Sequence, residues 1–382
     1  MMENVYDLID KLAPAYVQFW KEISEMETPS TDKAALDALA DKLEAHARAI
    51  GCGVLREKFE QAGDCLRLDL PGDESRAPIV LMAHMDTVHE KGAFGPEPVK
   101  IRDGILYGPG VNDCKNGIAM AMLVLDALRR SGVSHPPVRV LFTSDEEISA
   151  RLSGRQGVAF FETHAKGAKA ALNCESGREG KLIVGRKGIG QVTLKIFGKA
   201  AHAGVCYFDG ASAVREAAHK VLAIEAMSQP GGNTFNCGVI CGGSRSNIVP
   251  EACSIEVDIR AMEEQGMDDA LEQVRRIAEH VYVEGTRCVM EVGPIRPPME
   301  PTAANYELLR SINAMAAELG MAPLEGVVSG GGSDAAYTTR MGIPTVCSIG
   351  PCGWDVHTVR ERSDIASLPV RAKLVTKVIC EL

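Results

Sequence analysis

The stretch Ala77-Pro-Ile-Val-Leu-Met-Ala-His84-Met-Asp86-Thr-Val88 determines how we place the rest of the chain. Five apolar residues follow Pro78 without interruption, and polarity returns abruptly at His84. A continuous apolar run of this length is typical of a central strand in a sheet that is covered on both faces. Because ligands and chemistry collect at the carboxyl ends of strands in open α/β sheets, the pattern predicts a functional strand end here.

His84 and Asp86 stand two residues apart, so their side chains point the same way on an extended chain. The carboxylate could fix the tautomer of the imidazole, or it could share a metal ion with it. A buried His–Asp pair can also be a satisfied polar contact without any function. The pair therefore indicates a functional site only if other strand ends carry similar side chains.

Composition excludes several classes of protein. The chain has 382 residues, which predicts two or three domains or one large domain with an insertion, and its hydrophobic content of 46% and charged content of 24% are those of a globular protein. A net charge of −10 argues against nucleic-acid binding, and no apolar run is long enough to span a membrane. The acidic amphipathic start lacks the features of a signal peptide, so we expect a cytoplasmic protein whose twelve scattered cysteines are reduced.

The two ends of the chain alternate between helical and strand patterns. Helical spacing in the first fifty residues is followed by predicted strands at 55–60, 65–70, 78–84, 138–143 and 168–173, a helix at 118–130, a helix at 304–319 and a last strand at 343–349. Alternation of this kind predicts an α/β domain with a mainly parallel sheet. We assign residues 1–185 and 296–382 to this catalytic domain.

The middle of the chain has a different pattern, which predicts an inserted domain over residues 186–295. Its predicted order is strand 189–197, helix 211–226, strand 235–242, strand 252–261, helix 267–281 and strand 287–292. This β-α-β-β-α-β order is the ferredoxin-like arrangement. Its edge strands would be open to pairing, which favours a dimerisation role, and hinges near Gly185–Lys187 and Pro294–Pro298 would let it close as a lid.

Several strand ends and one loop of the first domain carry potential metal ligands. They are His84 with Asp86, Glu146 with Glu147, Glu175, His357 and, in a glycine-rich loop, Asp113. Imidazoles and carboxylates that converge in this way need cations, and the mixture suits Zn²⁺ above all, with Mn²⁺ or Co²⁺ as alternatives. Of the adjacent glutamates, one could bind metal while the other moves a proton. The alternative for Asp145-Glu146-Glu147 is a solvated helix N-terminus.

An ordered set of segments resembles the M20 metallopeptidase family over essentially the whole chain. The segments are His84-Met-Asp86-Thr, Gly110-Val-Asn-Asp113-Cys-Lys, Asp145-Glu-Glu147, Glu175-Ser-Gly, Ala201-His-Ala-Gly204 and His357. The resemblance implies a two-metal amidohydrolase fold with an inserted dimerisation domain. It also implies a cis peptide after Asp113.

The resemblance implies a role for each of these residues. Asp113 would bridge two zinc ions, Glu147 and His357 would complete one site, and His84 and Glu175 would complete the other. Glu146 would be the general base, and Asp86 would orient His84. Glu175, where other branches have aspartate, favours the carboxypeptidase and deacylase branches over the peptidase T and dipeptidase branches.

Residues outside these segments are implied in substrate binding. His202 matches a histidine that stabilises the oxyanion, in family members from the other subunit of a homodimer. Asn247 and Arg260 resemble a pair that holds the substrate carboxylate, and the planar guanidinium of arginine suits that task. The loop of Gly331, Gly332 and Ser333 could cradle an anion with its backbone N–H groups. We therefore expect a homodimer that pairs through residues 186–295.

Four functions remain open from the sequence. The first is a dizinc carboxypeptidase that releases a glutamate-like carboxyl-terminal residue from a small peptide or related amide. The second is a deacylase of N-acyl amino acids, like acetylornithine deacetylase or succinyl-diaminopimelate desuccinylase, and the third is a dipeptidase or tripeptidase. The fourth is a metal-binding protein without catalysis, which would have no need of a base at Glu146.

Overall fold

The computed structural model describes residues 2–382. The helices are α1 (Met2–Ser24), α2 (Lys33–Ile50), α3 (Lys115–Ser131), α4 (Gly154–His164), α5 (Ala213–Glu225), α6 (Glu264–Glu279), α7 (Ala303–Glu318), α8 (Ala335–Arg340) and α9 (Ser367–Glu381). The strands are β1 (Gly53–Glu57), β2 (Cys65–Leu70), β3 (Ile79–His84), β4 (Lys100–Arg102), β5 (Ile105–Tyr107), β6 (Val138–Thr143), β7 (Ala170–Asn173), β8 (Lys181–Arg186), β9 (Gly188–Phe197), β10 (Ala201–His202), β11 (Thr234–Gly242), β12 (Ile248–Val249), β13 (Ala252–Ala261), β14 (Arg287–Arg296), β15 (Glu325–Ser329), β16 (Thr345–Cys347), β17 (Gly353–Trp354) and β18 (Arg362–Asp364).

The chain folds into two compact units. Unit 1 comprises the residues up to Val184 together with Pro301–Val328 and Tyr337–Leu382. Unit 2 comprises Gly185–Glu300 and also Ser329–Ala336. The last segment differs from the sequence-based division, which placed it with the terminal segments. Its glycine run belongs to the inserted unit because Arg186 and Gly332 of that unit are hydrogen-bonded.

Unit 1 is built on an eight-stranded sheet with the order β1-β2-β6-β3-β7-β16-β8-β15. The pairs β6–β3, β3–β7 and β7–β16 are parallel, whereas β1–β2, β2–β6 and β16–β8 are antiparallel. All six residues of β3 are buried, as its continuous apolar run predicts. The parallel centre brings the carboxyl ends of β3, β6 and β7 to the same edge, where residues 84, 143 and 173 end their strands.

Helix α3 is the buried centre of the helical layer. From Lys115 to Leu128 every residue is buried, and α3 packs against α1, α2, α9 and β3. A glycine allows the close approach at its N-terminus, because a Cβ on Gly117 would stand 2.0 Å from the carbonyl oxygen of Cys174. That approach brings the loop of Asp113 next to the end of β7, where Glu175 follows.

Unit 2 has the predicted ferredoxin-like order. Its four-stranded antiparallel sheet has the order β11-β13-β9-β14, with α5 and α6 packed against it. In β13 the residues Cys253, Ile255, Val257 and Ile259 are buried, whereas the intervening positions are more exposed. This alternation is that of a sheet with one face on a core.

A buried ion pair joins the two helices of unit 2. Lys220 on α5 lies 2.9 Å from Glu216, and both side chains are almost fully buried. The Lys220 Nζ also donates to the carbonyl oxygens of Ile277, Ala278 and His280, at the end of α6. Glu216 accepts from the backbone N–H groups of Tyr282 and Val283. The pair therefore satisfies backbone groups that the end of α6 leaves unpaired.

We expect Lys220→Met to destabilise unit 2 by about 3–5 kcal/mol, since it leaves Glu216 buried without its cation. Hydrogen–deuterium exchange of peptides from α5 and α6 should rise strongly, while peptides from β3 and β6 stay protected. Lys195→Met is the matched control, because Lys195 pairs with Glu291 on an exposed surface. Equal exchange in the two variants would contradict the assigned role.

The thiols and the hydropathy of the helices complete the description of the fold. All twelve cysteines are free thiols. Within residues 2–382, none of the helices has the length and hydropathy required to cross a membrane.

Candidate metal centre

The carboxylate of Asp113 lies between two histidines in unit 1. Its Oδ1 is 3.1 Å from His84 Nε2, and its Oδ2 is 3.3 Å from His357 Nε2. Glu147 Oε2 lies 3.2 Å from the same nitrogen of His357, and Glu175 Oε1 lies 3.9 Å from His84 Nε2. We call His84, Asp113, Glu146, Glu147, Glu175 and His357 the carboxylate–histidine cluster. Each oxygen of Asp113 thus faces a different imidazole, as a bridging ligand requires.

His84 is oriented by the backbone and side chain of Asp86. Its Nδ1 is 3.0 Å from the Asp86 carbonyl oxygen and 3.3 Å from Asp86 Oδ1. Both partners are acceptors, so Nδ1 carries the proton and donates. In the neutral ring the lone pair of Nε2 is therefore directed at the cluster, which is the tautomer that a metal-binding imidazole needs, whereas in the protonated ring Nε2–H donates to Asp113.

Asp86 also holds the segment that carries the two glutamates. Its carboxylate is fully buried and accepts from the backbone N–H groups of Glu146 and Glu147, both at 3.1 Å. The hydroxyl of Ser30 donates to it at 2.6 Å. Asp86 is therefore a positioning residue that fixes the end of β3 to the loop after β6.

Asp145 has a structural role in the Asp-Glu-Glu segment. Its carboxylate accepts from the N–H groups of Leu152 and Ser153 and from the Ser153 hydroxyl. These bonds close the turn over residues 145–153, and no helix starts at the glutamates. The alternative of a solvated helix N-terminus is therefore wrong for Glu146 and Glu147, which project from an ordered turn.

His357 does not come directly from a strand end, in contrast to our expectation. It lies in the loop after β17, a two-residue strand, with φ +61°, and its side chain is 53% exposed. The short sheet β17-β18-β5-β4 supports this loop. The peptide between Asp113 and Cys114 is cis, as the resemblance predicts.

The cluster carries more negative charge than its two imidazoles can balance. Burial and the neighbouring Asp113 raise the pKa of Glu147 to about 8. Burial also disfavours the charged form of Asp113, but the hydrogen bonds of His357 and His84 hold its pKa far below the usual range. Hydrogen bonds to Asp113 and Glu147 raise the pKa of His357 to about 11. Crowded carboxylates of this kind favour the binding of cations.

The side chains present fit first-row divalent metals. Ligand atoms of His84, Asp113 and Glu147 lie within 4.8 Å of one another, and so do those of His84, Glu146 and Glu175. The donor set of imidazole nitrogen and carboxylate oxygen suits Zn²⁺, Mn²⁺ or Co²⁺. Two overlapping groups that share a histidine indicate a site with room for more than one ion.

Glu361 supports the Asp113 loop, a role that no sequence pattern indicates. Its buried carboxylate accepts from the backbone N–H groups of Gly110, Asn112 and Asp113 at 3.2, 2.8 and 2.9 Å. The Nε2 atom of His89 lies 2.7 Å from Oε2 of Glu361 and is a further hydrogen-bond partner of this carboxylate. Glu361 follows Arg360 and precedes Arg362, a charged context that is typical of a solvated surface. Only the fold reveals that it fixes the backbone of a candidate bridging ligand.

Lys115 is a buried cation behind the same loop. It is fully buried as the first residue of α3, and its Nζ has no hydrogen-bond partner. Burial lowers the pKa of Lys115 to about 7, against the opposite effect of Glu361. The loop of Asp113 is thus backed by both a carboxylate and an amine.

In unit 2, His202 is exposed and has a defined tautomer. Its Nδ1 lies 3.1 Å from the N–H of Gly204 and 3.2 Å from that of Val205. Because Nδ1 accepts these bonds, the proton of the neutral ring is on Nε2. His202 therefore presents an N–H donor to its surroundings, which is what oxyanion stabilisation requires.

The two predicted carboxylate-binding residues differ in their surroundings. Asn247 is exposed next to His202, since β10 and β12 pair His202 with Ile248 and the Asn247 carbonyl accepts from Ala203. Arg260 forms a bidentate pair with Asp258 at 2.7 and 3.0 Å. A substrate carboxylate would have to share the Arg260 guanidinium with that aspartate.

The glycine loop of unit 2 is held by its carbonyl groups. Arg186 Nη1 donates to the carbonyl oxygens of Gly331 and Gly332, at 3.4 and 2.9 Å. Ser333 is fully buried, and its hydroxyl accepts from the N–H of Ala335. Gly331 is exposed at the surface of the loop, whereas the Ser333 side chain faces the interior.

Comparison with known proteins agrees with this geometry. The model of peptidase family M20/M25/M40 matches residues 80–381. Carboxypeptidase G2 of Pseudomonas sp. (strain RS-16) is 29% identical over 97% of this chain and 89% of its own length. Succinyl-diaminopimelate desuccinylase of Stenotrophomonas maltophilia is 26% identical over 84% of this chain and 91% of its own length. The crystal structure of aminopeptidase PepT from Bacillus cereus superposes with a TM-score of 0.78, at 24% identity, over 96% of this chain and 98% of that one.

Fold and site together define a metal-dependent hydrolase of peptide or amide bonds. The chain belongs to the M20/M25/M40 peptidase family. Its relatives include carboxypeptidases, desuccinylases and deacetylases, so membership fixes the chemistry more firmly than the substrate.

Proposed function

We propose that this protein is a dizinc exopeptidase that releases a glutamate-like residue from the carboxyl end of a small peptide or related amide. The observation that carries the proposal is the carboxylate of Asp113, which faces His84 on one side and His357 on the other, with Glu146 beside them. The similarity to carboxypeptidase G2 over 97% of the chain supports the choice of a carboxypeptidase.

In this proposal the cluster residues divide into two ligand sets and a base. Asp113 would be shared between the two ions, Glu147 and His357 would hold one of them, and His84 and Glu175 would hold the other. Two zinc ions would polarise the scissile carbonyl and favour deprotonation of a water. Glu146 is the general base: its carboxylate takes a proton from the attacking water and passes it to the leaving amine nitrogen.

Unit 2 supplies the remaining groups of the proposal. The Nε2–H of His202 donates to the carbonyl oxygen as negative charge develops on it. Asn247, Arg260 and the backbone of Gly331 and Gly332 bind the free carboxylate of the substrate. Arg260 would then exchange one of its two bonds to Asp258 for a bond to the substrate, which is consistent with its partial exposure.

Turnover of a substrate panel tests the proposal. The zinc-loaded protein would be offered peptides and folate-like amides that end in glutamate, the same compounds ending in glutamine or amidated, and N-acetyl and N-succinyl amino acids. We expect cleavage of the glutamate compounds and loss of cleavage when the carboxylate is amidated. Preference for N-acyl amino acids would instead indicate a deacylase with the same cluster. Zinc bound without any turnover would support a binding protein.

We also propose that the chain forms a homodimer through the free edge of β11. The strand contains no charged residue, and Val239 and Ile240 are each about half exposed. Leu222, on the adjacent α5, is 72% exposed. The opposite edge strand, β14, carries Arg287 and Glu291, charges of the kind that keep edge strands from pairing.

Light scattering is expected to give the mass of two chains for the unmodified protein and of one chain for Val239→Lys. The lysine places like charges opposite each other across the two-fold pairing of β11. Val289→Lys on β14 is the matched control and should remain dimeric. A monomeric and fully active parent protein would contradict both the dimer and a role for His202 in the partner's site.

A further inference from the structure

Unit 1 contains a second cleft, which none of the cluster residues lines. Its volume is about 740 Å³, within the range of small-molecule sites. The lining residues come from the loop before β8, the segment after α7, β17, and the start of α9. They include Met321, Leu324, Trp354, Ser367, Val370 and Arg371.

Arg371 is a buried cation in the wall of this cleft. Its side chain is only 4% exposed, and one terminal nitrogen, Nη2, is 2.7 Å from the carbonyl oxygen of Arg178 and 3.5 Å from Cys352 Sγ. The other terminal nitrogen, Nη1, has no hydrogen-bond partner. No carboxylate among residues 2–382 lies within 4.0 Å of the guanidinium. A buried cation without a counter-charge is costly, so an anion in the cleft would be favourable.

The start of α9 adds positive potential to the same place. Ser367 and Val370 of its first turn line the cleft, and the residue before the helix, Ala366, has no side chain that could cap it. The first turn of α9 itself contains no acidic residue, and only the carboxylate of Asp364, which precedes the helix, offsets part of the helix dipole there. Of the two acidic lining residues, Asp364 accepts from the N–H of Ala366, and Glu179 is exposed. Neither forms an ion pair with Arg371.

Much of the rest of the cleft is apolar. Met321 and Leu324 form one part of its lining, and Trp354 and Val370, which are 44% and 47% exposed, form another. Apolar surface around the buried, unpaired guanidinium of Arg371, with the exposed Arg178 as the second lining cation, is an arrangement that binds an amphipathic monoanion, whereas a phosphate would need more donors. We propose that this cleft is a binding site for a small organic carboxylate with an apolar, aromatic body.

Titration of the zinc-loaded full-length protein with 3-phenylpropionate tests the proposal. Trp354 is one of only two tryptophans, and the other, Trp20, is fully buried, so quenching of tryptophan fluorescence reports on the cleft. We expect binding with a Kd of about 1 mM or tighter, and at least tenfold weaker binding of the neutral 3-phenylpropionamide, about 1.4 kcal/mol. Trp354→Phe should remove the fluorescence change.

A pair of variants at Val370 tests whether the carboxylate binds in this cleft. Val370→Glu introduces a carboxylate beside Arg371 and should weaken binding at least tenfold, while Val370→Gln, of the same size but uncharged, should bind within about threefold of the parent. Val370 is 47% exposed, so we expect both substitutions to leave the fold intact. Arg371→Met should also abolish binding, and Lys373→Met, which removes a cation from α9 outside the cleft, should not.

Three results would each overturn the proposal: equal affinity of the Val370→Glu and Val370→Gln variants, equal affinity for the acid and its amide, or no fluorescence change at about 10 mM probe. Binding that the zinc-free protein loses and that Val370→Glu retains would place the carboxylate in the metal centre instead.

Discussion

Replacing Glu146 by glutamine is expected to lower kcat/KM by about 10²–10⁴-fold, the usual contribution of a general base. Glutamine keeps the size of the side chain and its backbone bond to Asp86, but it cannot accept the proton of the attacking water. Metal content should therefore stay at the parent level, and KM should change little. Kinetics on the best substrate, together with elemental analysis of the protein, measures both quantities.

The substitution Glu147→Gln, at the adjacent position, distinguishes a metal ligand from a general base. Glu147 contacts His357 directly, so its replacement should reduce the number of bound metal ions as well as the rate. Glu162→Gln, on the exposed surface of α4, controls for the loss of a carboxylate. If Glu146→Gln retained more than about a tenth of the parent kcat/KM, another group would have to be the base.

Glu361→Ala is expected to weaken zinc binding by about 10–100-fold, as is typical when a residue that orients a metal ligand is removed. Without the carboxylate, the N–H groups of Gly110, Asn112 and Asp113 lose their acceptor, and the Asp113 loop is free to move. Competition with a chromophoric chelator would give the zinc affinity. Activity should recover in part at high zinc concentration, because no cluster residue has changed.

Two variants separate this effect from general destabilisation. Glu361→Gln keeps one acceptor oxygen and should lie between the parent and Glu361→Ala in zinc affinity. Arg360→Ala, at the exposed neighbouring position, should bind zinc like the parent. Unchanged zinc affinity in a folded Glu361→Ala protein would show that Asp113 holds its position without this support.

The sequence predicts best where a local pattern and the fold coincide. The uninterrupted apolar run before His84 reflects a strand that is buried on both faces, and the alternation in residues 252–261 reflects a strand that is buried on one face. Both strands form as the sequence predicts. The convergence of His84, Asp113, Glu147 and His357 was expected from strand ends and from family resemblance. The parallel centre of the sheet, which a pattern of strands and helices already implies, brings His84 and Glu147 together, whereas Asp113 and His357 reach the same place from loops.

The sequence predicts least where a contact spans a long stretch of chain or an element is very short. Strands β4, β5, β17 and β18 have two or three residues each, which is too few for a period of two to be visible. Glu361 is buried by the backbone of a loop about 250 positions earlier, and its charged neighbours suggest a solvent-exposed segment. The local pairing of Arg260 with Asp258 could have been suspected, because residues two apart on a strand share a face.

The position of β16 in the sheet has a consequence for synthesis on the ribosome. This strand lies between β7 and β8 although it comes more than 150 residues after both of them in the chain. Until residues 345–347 have left the exit tunnel, the strand that pairs with both β7 and β8 is missing from the sheet. His357 leaves the tunnel later still. Residues 185–300, which are continuous and form all of the inserted unit except residues 329–336, can fold during that interval. The nascent chain should therefore acquire its inserted unit first and the ability to hold metal last.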